Sequence, residues 1–552
     1  MNSKVKILLL VSLLFSQSFV CLAEWQKPPI DISDNTENAS SPWVAVDEAG
    51  NAIAVWLWDR AYPLSDVVQV SRYDVATDTW SSPVNLSDDS RSAYSPRIAM
   101  DEAGNGIALW YWNNSSSKNI VQARRYDVAT DTWIPDLSAD PTILSDDSRS
   151  AYTPRIAIGS DGNGIAVWEW DSPFPDKDVI QARRYDVMTA SWMPTATLSN
   201  NTRDAESPEV AMDRDGNAVV VWEWDSPSPD KDVIQTRRYD VTTASWLPDL
   251  SADPTTLSDN TLDFESPEVA IDGSGNAIAI WQSTYSPYVL QANRYDAVTN
   301  SWPTLATEIF RGTQRIYSSQ VVMDTVGNAI VLWRINVDGL MVKRYDAMTG
   351  LWSEAALIFN EDKRFEVNDC QIAMNPAGNA VVVWIMLDIS TGTHMVQARR
   401  YDAKTASWLA IKNITDPGVM YDSRAGIDSL DNAIAVWRND GSSNIIQASR
   451  SEFTRFTLSA TTKCYRYPSQ IDYIHVLEWN AMPDIASYKI YQYCEGHDTV
   501  NLPFKEAVFL GEVKAGTTTF DIHGRCPGKK VTYYVITVNQ DGTYGDYATI
   551  TI

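Results

Sequence analysis

A tryptophan recurs eight times in this 552-residue chain, at positions 56, 110, 168, 222, 281, 333, 384 and 437, at intervals of 51 to 59 residues. Self-similarity at such a period means an array of units, none of which can bury its apolar face alone. A second tryptophan follows in seven of the units, at 80, 133, 192, 246, 302, 352 and 408. One unit reads SPRIAMDEAGNGIALWYWNNSSSKNIVQARRYDVATDTW and holds four short β-type runs between turn signals. The first two runs flank Asp-x-x-Gly-Asn, where Gly supplies a positive φ and Asp closes an Asx turn. The last two flank Tyr-Asp-x-x-Thr-x-x-Trp, a second compact hairpin. Four strands in each unit of about fifty residues predict an all-β chain of β-propeller blades.

The eighth unit has only three runs, because no Tyr-Asp-x-x-Thr-x-x-Trp follows Ile445 to Phe453. The missing piece stands at the other end of the chain. Residues 24–40 align with 79–94, placing Trp25 on Trp80, Pro28 on Pro83 and Ser33 near Ser87. The sequence therefore predicts an eight-bladed β-propeller over residues 24–456, closed by an N-terminal strand that removes the open sheet edges. The hairpins YDVATDTW, YDAVTNSW and YDAMTGLW resemble the corresponding element of kelch repeats, although the paired glycines of that family are replaced by IALWYW or VVVWEW. The resemblance implies the blade fold and its strand order. Copper enzymes of kelch-like architecture need His ligands, and only His394 of the four His lies in the propeller.

Residues 1–23 combine a short basic start at Lys4 and Lys6, an apolar stretch and a small-residue exit at Ala23, which reads as an export signal. The apolar run is too short to span a bilayer, and no later apolar run could span one. The expected location is periplasmic or extracellular, as a monomer. From Thr457 the period stops, and LEWNAMPDIASYKIYQ with KKVTYYVITVNQDGTYGDYATITI resembles a fibronectin type III domain, a β-sandwich over 457–552. The resemblance makes Trp479 its core tryptophan and Tyr534 the late-strand tyrosine beside it. Cys370, Cys464, Cys494 and Cys526 follow the signal, with Cys494–Cys526 the favoured pairing in an oxidising compartment.

A formal charge of −27 argues against nucleic acid and anionic membranes as partners. Features present in nearly every unit are scaffold, because a ligand on the propeller axis meets the blades asymmetrically. The Trp56 and Trp80 series, Tyr73-Asp74 and Gly50-Asn51 with their copies fall in that class. So do Asp47, Asp101, Asp213 and Asp272, read as turn caps rather than metal ligands. The variable connections gather on the opposite face, where binding to a rigid scaffold usually occurs. There a second tryptophan occurs in the first four units only, Trp58, Trp112, Trp170 and Trp224, either as a wedge between blades or as a platform for sugar rings. Glu169, Glu223, Arg97 and Arg155 complete the candidate ligand contacts, and no catalytic residue is assigned. The expected function is recognition of a carbohydrate or an extracellular protein. The alternative is a sialidase-like glycoside hydrolase drawing on Arg97, Arg155 and Arg424, although the sialidase Asp box is missing. No cofactor is expected. Calcium could be held by Asp171, Asp176 and Asp178 or by Asp225, Asp230 and Asp232, but a solvated acidic loop is the favoured reading.

Overall fold

The computed structural model describes residues 15–18, 25–34, 36–60, 65–113, 116, 118–172, 177–226, 231–259, 261–336, 339–359, 364–441, 443–452, 457–467, 470–479, 485–494, 508–523, 531–539 and 544–551. Among them there is no helix, and therefore none long and apolar enough to cross a membrane. The chain divides into two units, Trp25–Ser451 and Glu452–Ile552 with Met1–Glu24. The segment 1–23, expected to be an export signal, lies outside the described residues except for Phe15–Ser18, a strand that pairs with Thr457–Ala460.

The first unit is an eight-bladed β-propeller. Its antiparallel sheets cover 38–85, 93–143, 151–197, 205–256, 264–312, 316–359 and 365–413, while the eighth joins 420–451 to Ile30–Asp31. The first strand of each blade is innermost, and the fourth is short and often split in two. All eight repeated tryptophans, Trp56 through Trp437, are fully buried in the second strands. An indole N–H in such a core needs an acceptor. In six blades a glutamine of the third strand provides it, as Gln122 Oε1 does for Trp110 Nε1 at 2.9 Å.

The Tyr-Asp hairpin links each blade to the next. The tyrosine ring packs on its own blade's second tryptophan, with Tyr126 and Trp133 centroids 5.4 Å apart. The arginine just before each tyrosine reaches the tyrosine of the following blade. Arg72 lies 4.3 Å from the Tyr126 ring, Arg125 lies 5.7 Å from Tyr185, and the series continues through Arg184, Arg238, Arg294 and Arg344. In blades two to six the aspartate two residues on pairs with the same guanidinium and fixes its direction. Blade eight has Ser451 where the tyrosine would stand, and there Trp25 serves, 6.0 Å from Arg400 and bridged to Ser451. Arg450 then reaches Tyr73 of blade one and completes the circle. Ser33 Oγ accepts the Ile446 N–H at 2.8 Å, as Ser87 Oγ accepts that of Val68, so the N-terminal strand takes the place that the alignment gives it.

The Asp-x-x-Gly-Asn turns have a structural role. Asp47 accepts both the backbone and side-chain N–H of Asn51 at 2.8 Å, and Asn51 Oδ1 accepts the Val75 N–H of the hairpin beside it. Both tight turns of a blade therefore lie on one face. Each turn glycine from blade one to blade seven has positive φ, and in seven blades it lies against a neighbouring blade's turn carboxylate. A Cβ on Gly104, for example, would meet Asp47 at 2.9 Å. Between blades seven and eight the two residue types trade places. Asn375 stands for the aspartate, Asp431 for the glycine, and Asp431 Oδ1 accepts from Asn375 and Asn379 at 2.7 and 2.6 Å.

The second unit is a two-sheet sandwich. Thr457–Tyr467, Gln470–Trp479 and Thr519–His523 form one sheet, and Val508–Lys514, Ile485–Cys494, Val531–Asn539 and Tyr544–Thr551 the other. Trp479 is buried as expected, but its ring neighbour is Tyr488 at 5.3 Å. The buried tyrosine of the late strand is Tyr533, one residue before Tyr534, because neighbouring residues of a strand face opposite sides. Cys526 lies outside the described residues, as does the side chain of Cys494, while Cys370 is buried and free.

Two variants test closure and the turn exchange. Trp25→Ala should cost about 3–5 kcal/mol in urea unfolding, the range for a buried aromatic. Asn375→Asp would set two carboxylates together and should cost about 1–3 kcal/mol at neutral pH. Adding Asp431→Gly to that variant, which restores the pattern of the other blades, should recover most of the loss.

Candidate functional site

Each innermost strand carries a β-bulge at the same place. In blade two, Tyr94 pairs with Tyr111 and Arg97 with Leu109, so one extra residue is inserted. The first bulge residue has a positive φ in all eight blades, from 44° at Asp369 to 56° at Asp422, with Ser41, Ser95, Thr153, Ser207, Ser266 and Ser318 between. In blades one to five the next residue is proline, which fits where the ladder is interrupted because it has no N–H to pair. A bulge redirects the side chain that follows it. Here that residue is Trp43, Arg97, Arg155, Glu209, Glu268, Gln320, Gln371 or Arg424 in blade order, and all eight are half-buried.

These side chains line a central cavity of about 600 Å³. Trp43 lies between two guanidiniums from the blades on either side, Arg97 at 4.4 Å and Arg424 at 5.0 Å from its ring. Arg155 Nε donates to Glu209 Oε1 at 2.6 Å. Burial and the neighbouring Glu209 carboxylate push the Glu268 carboxyl well above the usual range. Gln320 ties blade six to blade seven, donating to Cys370 O and accepting the Ile372 N–H, and Gln371 accepts the Ala425 N–H of blade eight at 2.6 Å. Burial also pushes the Cys370 thiol up to about 11, so it is a protonated wall residue and no nucleophile. At the tight-turn face Arg214 of blade four reaches across to Glu48 of blade one at 3.1 Å and Glu102 of blade two at 2.5 Å.

The structure brings Arg97 and Arg155 together in this cavity, with Arg424. The other candidates lie elsewhere. Trp112, Trp170 and Trp224 are partly buried against the apolar clusters between neighbouring blades, and Trp58 lies under Arg60 at 5.5 Å. The indole N–H groups of all four are buried with no partner. Glu169 Oε1 accepts the Ser207 N–H at 2.7 Å and Glu223 Oε1 accepts that of Ser266 at 2.8 Å. Each therefore satisfies the bulge N–H of the next blade. Of the calcium sets, Asp176 and Asp230 lie outside the described residues, while Asp171 and Asp225 stand 3.8 and 3.5 Å from Arg149 and Arg203. Trp43, Gln320 and Gln371 are the lining residues that motif reading misses. The signal for them is positional, two residues after the positive-φ residue that opens each unit.

No protein-family model matches the sequence, and no curated protein matches it. Solved structures similar to it include the Dos1 propeller, 12% identical, covering 80% of this chain and 97% of that one with a TM-score of 0.44. The β-propeller domain of the Trilobed protease from Pyrococcus furiosus is 11% identical over 69% of this chain and 98% of that one, with a TM-score of 0.40. The Hadza microbial sialidase Hz136 is 13% identical over 82% and 96%, with a TM-score of 0.34. The likeness is one of fold and carries no activity over to this chain.

Burial raises the Glu223 carboxyl from 4.5 to about 7. A raised folded-state value contributes stability that is present below about 4.5 and is lost as pH rises through 7. Glu223→Gln keeps an acceptor for Ser266 and has no proton to lose. Its stability relative to the parent should therefore rise between pH 4.5 and pH 8, by on the order of 1–3 kcal/mol in denaturant titrations.

Proposed function

We propose that this protein is an exported binding module that takes a carbohydrate into the central cavity from the variable-loop face. One observation carries the reading. In a repeat that holds its tryptophans, turns and bulges nearly constant, the residue after each bulge varies as Trp, Arg, Arg, Glu, Glu, Gln, Gln, Arg. A position supported alike in every blade and filled differently is where an asymmetric ligand would be read. Guanidinium and amide donors next to carboxylate and amide acceptors suit a ring of hydroxyls, each of which needs a partner on leaving water. The kelch-like and fibronectin type III-like readings belong to the same proposal. They are supported by the Tyr-Asp hairpin and by the two-sheet strand order of the second unit, which would act as a spacer or a docking domain.

A second reading, glycoside hydrolysis, is favoured by Glu209 and Glu268. These carboxyls occupy equivalent places in neighbouring blades, one ion-paired with Arg155 and the other pushed toward its protonated form. Such a contrast is the one that separates base from acid in glycosidases.

A glycan array probed with residues 24–552, followed by calorimetry on the best ligand, tests both. Glu268→Gln should weaken binding about tenfold or more while melting is unchanged or raised, since it removes a buried ionisable group. Release of new reducing ends by the parent and not by Glu268→Gln would establish the hydrolase. A blank array would transfer the function to a protein partner.

A further inference from the structure

The cavity is divided by charge. On the side of blades three to five, Arg155 has Glu209 in contact and Glu268 beside it. On the side of blades eight, one and two, Arg97 and Arg424 stand about Trp43, and among the described residues neither has a carboxylate within ion-pair distance, although Asp369 and Asp422 lie near enough to act on the Arg424 guanidinium. Each makes one hydrogen bond, to the carbonyl just before it: Arg97 to Pro96 O at 2.9 Å and Arg424 to Ser423 O at 2.8 Å. Arg97 Nε is buried and has no partner. The other charged or titratable groups of the cavity wall are Asp369 and Cys370. Asp369 Oδ2 accepts the Asp422 N–H at 3.3 Å, and Asp422 is paired with Arg438.

A guanidinium partly withdrawn from water with no carboxylate in contact is costly, and packing on an indole returns only part of that cost. Burial, with Arg155 and Arg424 nearby, outweighs the more distant Glu209 and Glu268 and pushes the Arg97 guanidinium down to about 9. A chain with 71 acidic residues against 44 basic ones has no shortage of carboxylates to place there, yet this lobe has donors in excess. Donors in a fixed fork without a partner match a planar anion.

We propose that Arg97 and Arg424, on either side of Trp43, hold the carboxylate of an acidic sugar in the central cavity. This rests on the cavity being the carbohydrate site. The arginines would fix the acidic group and the orientation of the ring, while Gln320, Glu209 and Glu268 face its hydroxyls. With two guanidiniums within 5.0 Å of its ring, Trp43 serves to position them rather than to stack on sugar.

Calorimetry with three probes tests the assignment: an oligogalacturonide, a neutral oligogalactoside of equal length and a sulfated oligogalactoside. The oligogalacturonide should bind at least about tenfold more tightly than the neutral one, with an affinity that falls as salt is added. Arg97→Gln and Arg424→Gln should each weaken oligogalacturonide binding about tenfold more than they weaken neutral binding, and so remove most of that preference. Arg97→Lys, which keeps the charge and loses the fork, should retain a part. Melting of each variant should match or exceed the parent, since an uncompensated buried charge is lost. Equal affinity for acidic and neutral sugars, unaltered in Arg97→Gln, would overturn the anion assignment and leave the carbohydrate reading standing. Tighter binding of the sulfated sugar would overturn the carboxylate. No binding of any of the three, together with a blank array, would overturn both readings.

Discussion

The contact that the ring depends on is a guanidinium against the aromatic ring of the next blade. Apart from the Arg214 bridge, the contacts of a blade described above are with its two neighbours, so the propeller approximates a one-dimensional stack whose stability is a sum of unit and interface terms until its ends meet. Each desolvated arginine–aromatic contact contributes on the order of 1–2 kcal/mol, and it adds direction to an otherwise smooth apolar interface. Arg125 on Tyr185, at 5.7 Å, is typical. The closing interface is different because its two sides come from opposite ends of the chain. Residues 25–33 bring to blade eight a fourth strand, an aromatic ring for Arg400 and a hydroxyl for Ile446. An interface joined over more than four hundred residues carries the largest loop-closure entropy in the unit, and Trp25 is placed where that cost must be offset.

With the ring held from outside, the innermost strands are free to carry function. Strand alternation separates two duties there. Val44, Ile98, Val269, Val321 and Ile372 are buried in the clusters between blades, while the residues just before them face the cavity. Eight positive-φ bulges keep that orientation. Non-glycine residues pay about 1 kcal/mol or more in this region, which is tolerated only where the surroundings fix the backbone. Glu169 and Glu223 are part of those surroundings, since each meets a bulge N–H that the interrupted ladder leaves without a partner.

Local and repeated features were legible in the sequence. The tryptophan period, the two hairpin signatures and the alignment of 24–40 with 79–94 lead to eight blades and to the N-terminal closure, because each is a short-range pattern with one geometric solution. Contacts between units were not. Arg72 and Tyr73 are neighbours in the chain, and nothing in the dipeptide says that the arginine serves the tyrosine of the next unit. Glu169 and Glu223 look like paired acids because a backbone N–H orphaned by a bulge has no signature of its own. Tyr533 and Tyr534 differ by a single step of register, which composition cannot decide. The cavity ring was half legible. Its arginines and glutamates attract notice as charges, whereas Trp43, Gln320 and Gln371 matter only through their place after the bulge.

The same separation explains how one repeat can be uniform in fold and singular in chemistry. Trading Asp for Asn at 375 and Gly for Asp at 431 preserves the turn-to-turn contact with its polarity reversed, so even a scaffold position that changes does so in company. The cavity ring shows no such compensation around Trp43. Arg155 has Glu209 in contact, but Arg97 and Arg424 beside the indole have only carbonyls as hydrogen-bond partners among the described residues. Where the turn exchange is balanced by a neighbour, a charge imbalance kept inside the cavity is best understood as half of an interaction, the other half being the ligand.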